Sequence, residues 1–313
     1  MKFLSTIAVV VVFLLTLQLA DSYGQIQLEV EQSNIDEAES LAADWVAMRD
    51  DLPSRWAARQ RRRTVNFVNL AESAISVTRI EELWAHDKEA DVTYTRCTHG
   101  DPRRGNPFDM EVLSRDTPKQ KLFKLGEKPW EEVAKIPNTP YDCAFPLWWS
   151  LGWINSARSG SMHKADYLTL NLSGHGRACF AARHDKEGNL VSFWGNEKRK
   201  PRYVTKIVFS KSILVPLEYA MVAIPSGVAF KKSVAERKYS ILEQGHVTWK
   251  PFPEVQRDGK AMLLPVHVEV QSVLNPGEEL DCVNDIEWLF GKAVPQTVFA
   301  DPLKAEIVEP EFD

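Results

Sequence analysis

The chain has 313 residues, 44% of them apolar, with 38 lysines and arginines against 43 aspartates and glutamates and a net charge of −5. A mildly acidic chain has no general attraction for nucleic acid or acidic membranes, so no nucleic-acid partner is expected. The length allows a substantial core, in one large domain or two small ones, and ten tryptophans point to large buried areas or aromatic-lined clefts.

At the N-terminus, Lys2 precedes an almost wholly apolar run from Phe3 to Leu19. The polar segment ADSYGQ follows, with Ser22 and Gly24 as the small residues before a cut after Gly24. This pattern predicts a secretory signal peptide over residues 1–24. The run falls short of the ~20 residues a membrane span needs, and no later stretch is long enough, so no transmembrane segment is expected in the mature chain. Export to the periplasm or the cell exterior follows. Lys2 and Asp21 leave together, so the net charge is unchanged.

Residues 25–33 read as a linker. Beyond it, Leu41, Trp45 and Met48 recur at helical spacing, and Asn34 or Asp36 can cap the start. Pro53 is expected to divide this region into two helices. That places the basic run Arg55, Arg59, Arg61, Arg62 and Arg63 on a solvated helix end, where cations suit the C-terminal dipole. A contact to anionic headgroups is the sharper alternative.

From Thr64 the signals are those of strands. TVNFVNL and SAISVTRIEELW are rich in β-branched and aromatic residues, and ADVTYTRC alternates. GDPRRGNP reads as a loop. EKPWEEVAK reads as a short helix with Pro129 in its first turn. The stretch YDCAFPLWWSLGW, residues 141–153, predicts a helix from Pro146 that is apolar all round and therefore buried on most sides. DYLTLNL is a further strand. RACFAARHDKEGNLVSFW is a hairpin around DKEGN, and HVTWKPFPEVQ pairs with KAMLLPVHVEVQSVL around RDGK. YVTKIVFS, LEYAMVAI and ELDCVNDIEWLF complete the strands, and the rest is a loose tail with an acidic end, residues 303–313, carrying Glu306, Glu309, Glu311 and Asp313. No alternation of strand and helix favours a parallel sheet. The expected fold is α+β: a large curved antiparallel sheet, an incomplete barrel, with helices packed in its concave face and one domain over residues 34–302.

Chemical signatures are sparse. The chain has no GxSxG, HExxH, P-loop or GxGxxG pattern, and seven scattered histidines show no metal-ligand spacing. No metal, cofactor or catalytic residue is assigned. His175 and Cys179 invite a base-and-thiol reading, but on a strand they stand ~13 Å apart at ~3.3 Å per residue. Glu81 and Glu82 are adjacent, and neighbours on a strand face opposite ways. NLS at Asn171 is a glycosylation sequon. Cys97, Cys143, Cys179 and Cys282 are an even number in an exported chain, which predicts disulfides with three pairings open.

The helix, the long meander, and the phrases DGKAMLLPVHVEVQSV and DIEWLFGKAVPQTVFADP, with Leu264-Pro265, Val294-Pro295 and Phe299, resemble the LolA-like superfamily of periplasmic lipoprotein carriers, especially its divergent exported members. The resemblance implies an incomplete barrel that encloses an apolar cavity for acyl chains and has no catalytic residue. The expected function is non-enzymatic binding of a lipid or acyl chain between the sheet and the tryptophan-rich helix. Phe145, Trp148, Trp149, Trp153, Trp194 and Trp249 are the expected lining. Two alternatives stay open: a structural or interaction protein with a filled core, and a secreted hydrolase whose site assembles from scattered residues.

Overall fold

A computed structural model describes residues 32–69, 74–100, 108–116, 119–134, 178–195, 203–272 and 282–312. The signal peptide, the strand DYLTLNL and the stretch 141–153 lie outside the described residues.

The chain enters through α1 (Gln32–Ala47), continued by a 3-10 turn at Met48–Asp51. Strand β1 follows at Arg55–Asn69, then β2 (Ala74–Asp87), β3 (Val92–Gly100), β4 (Phe108–Asp116), β5 (Lys119–Leu125) and the short β6 (Glu131–Glu132). The second series is β7 (Ala178–His184), β8 (Leu190–Gly195), β9 (Tyr203–Phe209), β10 (Pro216–Ala223), α2 (Phe230–Ala235), β11 (Ser240–Arg257), β12 (Lys260–Ser272) and β13 (Cys282–Phe290). The 13 strands among the described residues form one open antiparallel sheet in the order β6-β5-β4-β3-β2-β1-β13-β12-β11-β10-β9-β8-β7. The first and last strands, β1 and β13, meet in the middle and join the two meanders. A sheet this wide curls, and the expected curved antiparallel sheet with helices is the fold observed.

Two faces follow from the period of two along each strand. The inner face carries Trp56 and Ala58 of β1, Trp84 of β2, Trp194 of β8, Ile207 of β9 and Ile286 and Trp288 of β13, in one cluster with Ile35, Ala38, Leu41, Ala42 and Trp45 of α1. The helix lies on β7 and β8 at this face. Its far end is held by Arg257 at the tip of β11. The guanidinium meets the Asp51 carboxylate at 3.0 Å and donates to the Asp44 carbonyl at 3.1 Å. The outer face has two separate clusters. At one end Phe193, Val204, Ala220 and Val222 pack with Phe230 and Val234 of α2. Across the other end, Leu83, Tyr94, Leu113 and Leu122 pack against Val294, Val298 and Phe299 of the C-terminal segment.

Three expectations are corrected. The region after Pro53 is not a second helix but the start of β1. In RWAARQRRR the residues Trp56, Ala58 and Gln60 share one face and Ala57, Arg59 and Arg61 the other, a period of two that the dense arginines obscure. The segment EKPWEEVAK is not a helix. Glu131 and Glu132 pair with Phe123 and Leu122 of β5, and Trp130 packs on the outer cluster; one turn of helix has too few bonds to compete with these contacts. The tail is not loose. The Glu309 carboxylate accepts from the Tyr94 hydroxyl at 2.8 Å and from the Arg96 guanidinium at 2.9 Å, while Phe312 lies 4.5 Å under the Arg59 guanidinium.

Candidate functional site

The inner face is an aromatic wall interrupted by a polar seam. Trp56 and Trp288 stand on neighbouring strands with ring centroids 5.7 Å apart, and Phe290 stacks on Trp288 at 6.1 Å. Phe252 of β11 meets Phe290 edge-on at 5.8 Å. Trp249, Phe252, Leu263 and Phe290 are only partly buried, and they continue the buried cluster toward the surface. An apolar strip that joins a core to the surface is the kind of feature that receives a partner or ligand.

The seam crosses the same face. Asn284 of β13 and Gln60 of β1 have 0% of their surface exposed, and Glu82 of β2 and Thr95 of β3 are also buried. The register pairs Gln60 with Glu82 and sets the other two at diagonal positions on the same face, Asn284 two residues from Ile286, which lies opposite Gln60, and Thr95 opposite Trp84, two residues from Glu82. Gln60 Nε2 donates to Glu82 Oε2 at 3.2 Å. Gln60 Oε1, Thr95 Oγ1 and both amide atoms of Asn284 have no hydrogen-bond partner among the described residues. A buried polar atom without a partner costs about 1–3 kcal/mol, so such atoms gather where another molecule completes them. The seam offers neutral amide donors and acceptors, which suit the ester, amide or hydroxyl groups of a ligand.

Of the six expected lining residues, Phe145, Trp148, Trp149 and Trp153 lie outside the described residues. Trp194 and Trp249 both belong to the inner cluster. Trp194 is buried and its indole donates to Ser192 Oγ at 2.9 Å; Trp249 is half-buried and donates to the Pro216 carbonyl at 2.6 Å. The two polar handles are therefore committed within the protein. Sequence reasoning missed the seam and the strip at Phe252 and Phe290. The alternation in EVQSV and DIEW marked the strands but not which face turns inward.

Of the three cysteine pairings left open, the structure bears on one. Cys97 on β3 and Cys179 on β7 are buried thiols in different clusters at different ends of the sheet, so they do not bridge each other. Cys143 is outside the described residues, and Cys282 opens β13. Burial pushes the Cys179 thiol up to about 12, against weak backbone hydrogen bonding. It stays protonated at neutral pH, which removes the nucleophile from the His175–Cys179 reading. Glu81 and Glu82 face opposite ways as expected: Glu81 is exposed beside Arg61 and Glu82 is buried beside Gln60. Among the described residues no three His, Cys, Asp or Glu side chains gather as a metal site.

No family model matches the chain, and no curated protein matches it. Among solved structures it is similar to a DUF1329 family protein from Desulfovibrio piger, at 11% identity and a TM-score of 0.39, over 85% of this chain and 97% of that one. A likeness that loose carries no information on fold or function, and none of the comparisons supports membership of the LolA-like superfamily.

Proposed function

We propose that this chain is an exported, non-enzymatic binding protein for an apolar chain of lipid or acyl type, received on the inner face of the sheet. The observation that carries this reading is the partly exposed strip Trp249, Phe252, Leu263 and Phe290, continuous with buried Trp56 and Trp288. An acyl chain laid on such a strip gains ~0.8 kcal/mol per CH₂ removed from water. The Asn284 amide and the Gln60 Oε1, unpartnered among the described residues, lie on the same face and supply hydrogen bonds to a polar end. The reaction of the chain with its ligand is burial alone, with no bond made or broken.

A second reading, a filled core in an exterior interaction protein, draws support from Trp194, which is buried and hydrogen-bonded within the chain. Titration with palmitate separates the two. Tryptophan emission is expected to shift to the blue and a bound hydrophobic dye to be displaced. Phe290→Asp, which puts a charge into the strip, is expected to weaken palmitate at least about tenfold, the equivalent of ~1.4 kcal/mol. Neither a shift nor dye displacement with the folded wild-type protein leaves the filled-core reading standing.

A further inference from the structure

The polar seam of the inner face lacks hydrogen bonds of a definite kind. Gln60 lies opposite Ile286, and Asn284 stands two residues along β13 from Ile286. The two amides are therefore diagonal neighbours on one face, at positions ~7–8 Å apart. Both are fully buried. Apolar residues close the seam on each side, with Trp84 and Ile286 on one and Ile80, Cys97 and Met110 on the other. Gln60 commits Nε2 to Glu82 at 3.2 Å. Among the described residues, Gln60 Oε1, Asn284 Oδ1 and Asn284 Nδ2 have no hydrogen-bond partner. The two oxygens are acceptors and the nitrogen is a donor. A group that completes all three brings N–H or O–H donors together with an acceptor. One strand leads to them from the surface. Phe290, Trp288, Ile286 and Asn284 share the inner face of β13. From the partly exposed Phe290 to Asn284 is ~20 Å at ~3.3 Å per residue, comparable to one leaflet's share of the ~30 Å hydrocarbon core of a bilayer.

We infer, resting on the acyl-binding reading above, that the seam selects acyl chains carried as amides. The ligand C=O accepts from Asn284 Nδ2, and its N–H groups donate to Asn284 Oδ1 and Gln60 Oε1. A carboxamide holds its donors and its acceptor in one plane. An ester or an ionised carboxylate brings acceptors only, which leaves Asn284 Oδ1 and Gln60 Oε1 facing lone pairs. Between apolar walls that mismatch is costly, and a site built to bond an N–H group rejects the analogue that lacks it. Fatty acids and esters are then held by burial of the chain alone, and amides by the chain and the seam together.

The test ranks palmitamide, N-methylpalmitamide and methyl palmitate by displacement of a hydrophobic dye from the folded wild-type protein. The three share one acyl chain and carry successively fewer N–H donors, down to none in the ester. Affinity is expected to fall in that order, by about tenfold or more from the primary amide to the ester. Partition into an oily pocket gives the opposite order, because the ester is the least polar of the three. Asn284→Leu puts an apolar side chain of similar size in place of the unmet amide. The variant is expected to melt no lower than wild type, since no hydrogen bond is lost, and to bind methyl palmitate at least as tightly as palmitamide. The wild-type ranking stands without the variant. Equal affinity for all three, or tighter binding of the ester, leaves acyl binding intact and overturns amide selection, with buried water completing the seam. A preference for palmitamide that Asn284→Leu retains overturns it as well. Displacement by none of the three overturns the acyl-binding reading and amide selection together.

Discussion

At the scale of single residues, opposite charges on the outer face are arranged in a ladder whose balance is set by protons as well as by salt bridges. His267 sits between Asp285 at 2.7 Å and Glu269 at 3.3 Å. Its partial burial disfavours the charged ring, but the hydrogen bonds to Asp285 and Glu269 and their negative charges outweigh it, and the net shift is upward. The folded state therefore holds this proton more tightly than the unfolded chain. The stabilisation is complete below the ordinary histidine value of about 6.5 and is lost as pH rises through the higher native value. Denaturant midpoints are expected to fall as pH rises above the ordinary histidine value of about 6.5, and His267→Gln to flatten that part of the curve. A slope that is identical in the variant places the proton elsewhere. Tyr94 behaves oppositely in kind. Burial, then Glu309 and Glu111, hold its hydroxyl protonated far above neutral pH, so it acts as a permanent donor to the tail.

Elements of this chain are punctuated by glycines of two physical sorts. Gly259 closes the β11–β12 hairpin at φ +74°, beside Asp258 at φ +51°, and a Cβ there meets nothing within 4 Å. Gly259→Ala costs only the left-handed conformation, about 1 kcal/mol. Gly245, opposite Tyr219 across β10 and β11, has ordinary φ, but a Cβ would lie 2.1 Å from the Tyr219 ring. Gly245→Ala forces that ring out of the inner cluster and is expected to cost about 2–3 kcal/mol, the range of overpacked cores. Urea denaturation of the two variants checks the order; a reversed order removes the tyrosine from its place over Gly245. The first glycine was legible in the sequence, because RDGK between two apolar runs is local turn chemistry. The second was not, because its partner lies on another strand. The same contrast explains β1. Its alternation is present in RWAARQRRR, but a dense charge run hides it until pairing with β2 and β13 supplies the register.

For the molecule as a whole, the C-terminal segment is a strap that covers an otherwise open outer cluster. Val294, Val298 and Phe299 are buried there, Ile307 and Phe312 pack against the same residues, and Glu309 ties the strap to Tyr94 and Arg96. Deleting residues 305–313 uncovers apolar surface and removes two charge-assisted hydrogen bonds. The expected loss is about 3 kcal/mol or more, read as a midpoint lower by roughly 6 °C or more. An unchanged midpoint would show that the segment is solvated rather than docked.

The amino-acid sequence determined on its own that this chain makes hairpin-linked strands with a leading amphipathic helix, since alternation, helical spacing and turn residues act between near neighbours. It also carried the two faces of each strand, because a period of two always makes two. Tertiary structure alone decided which face turned inward, which tryptophans filled the core and which aromatics reached the surface. It also brought Asn284 beside Gln60 and the tail onto Tyr94. Those meetings depend on strand register and strand order, which are set by the collective burial of the whole sheet and leave no trace in any short stretch of chain.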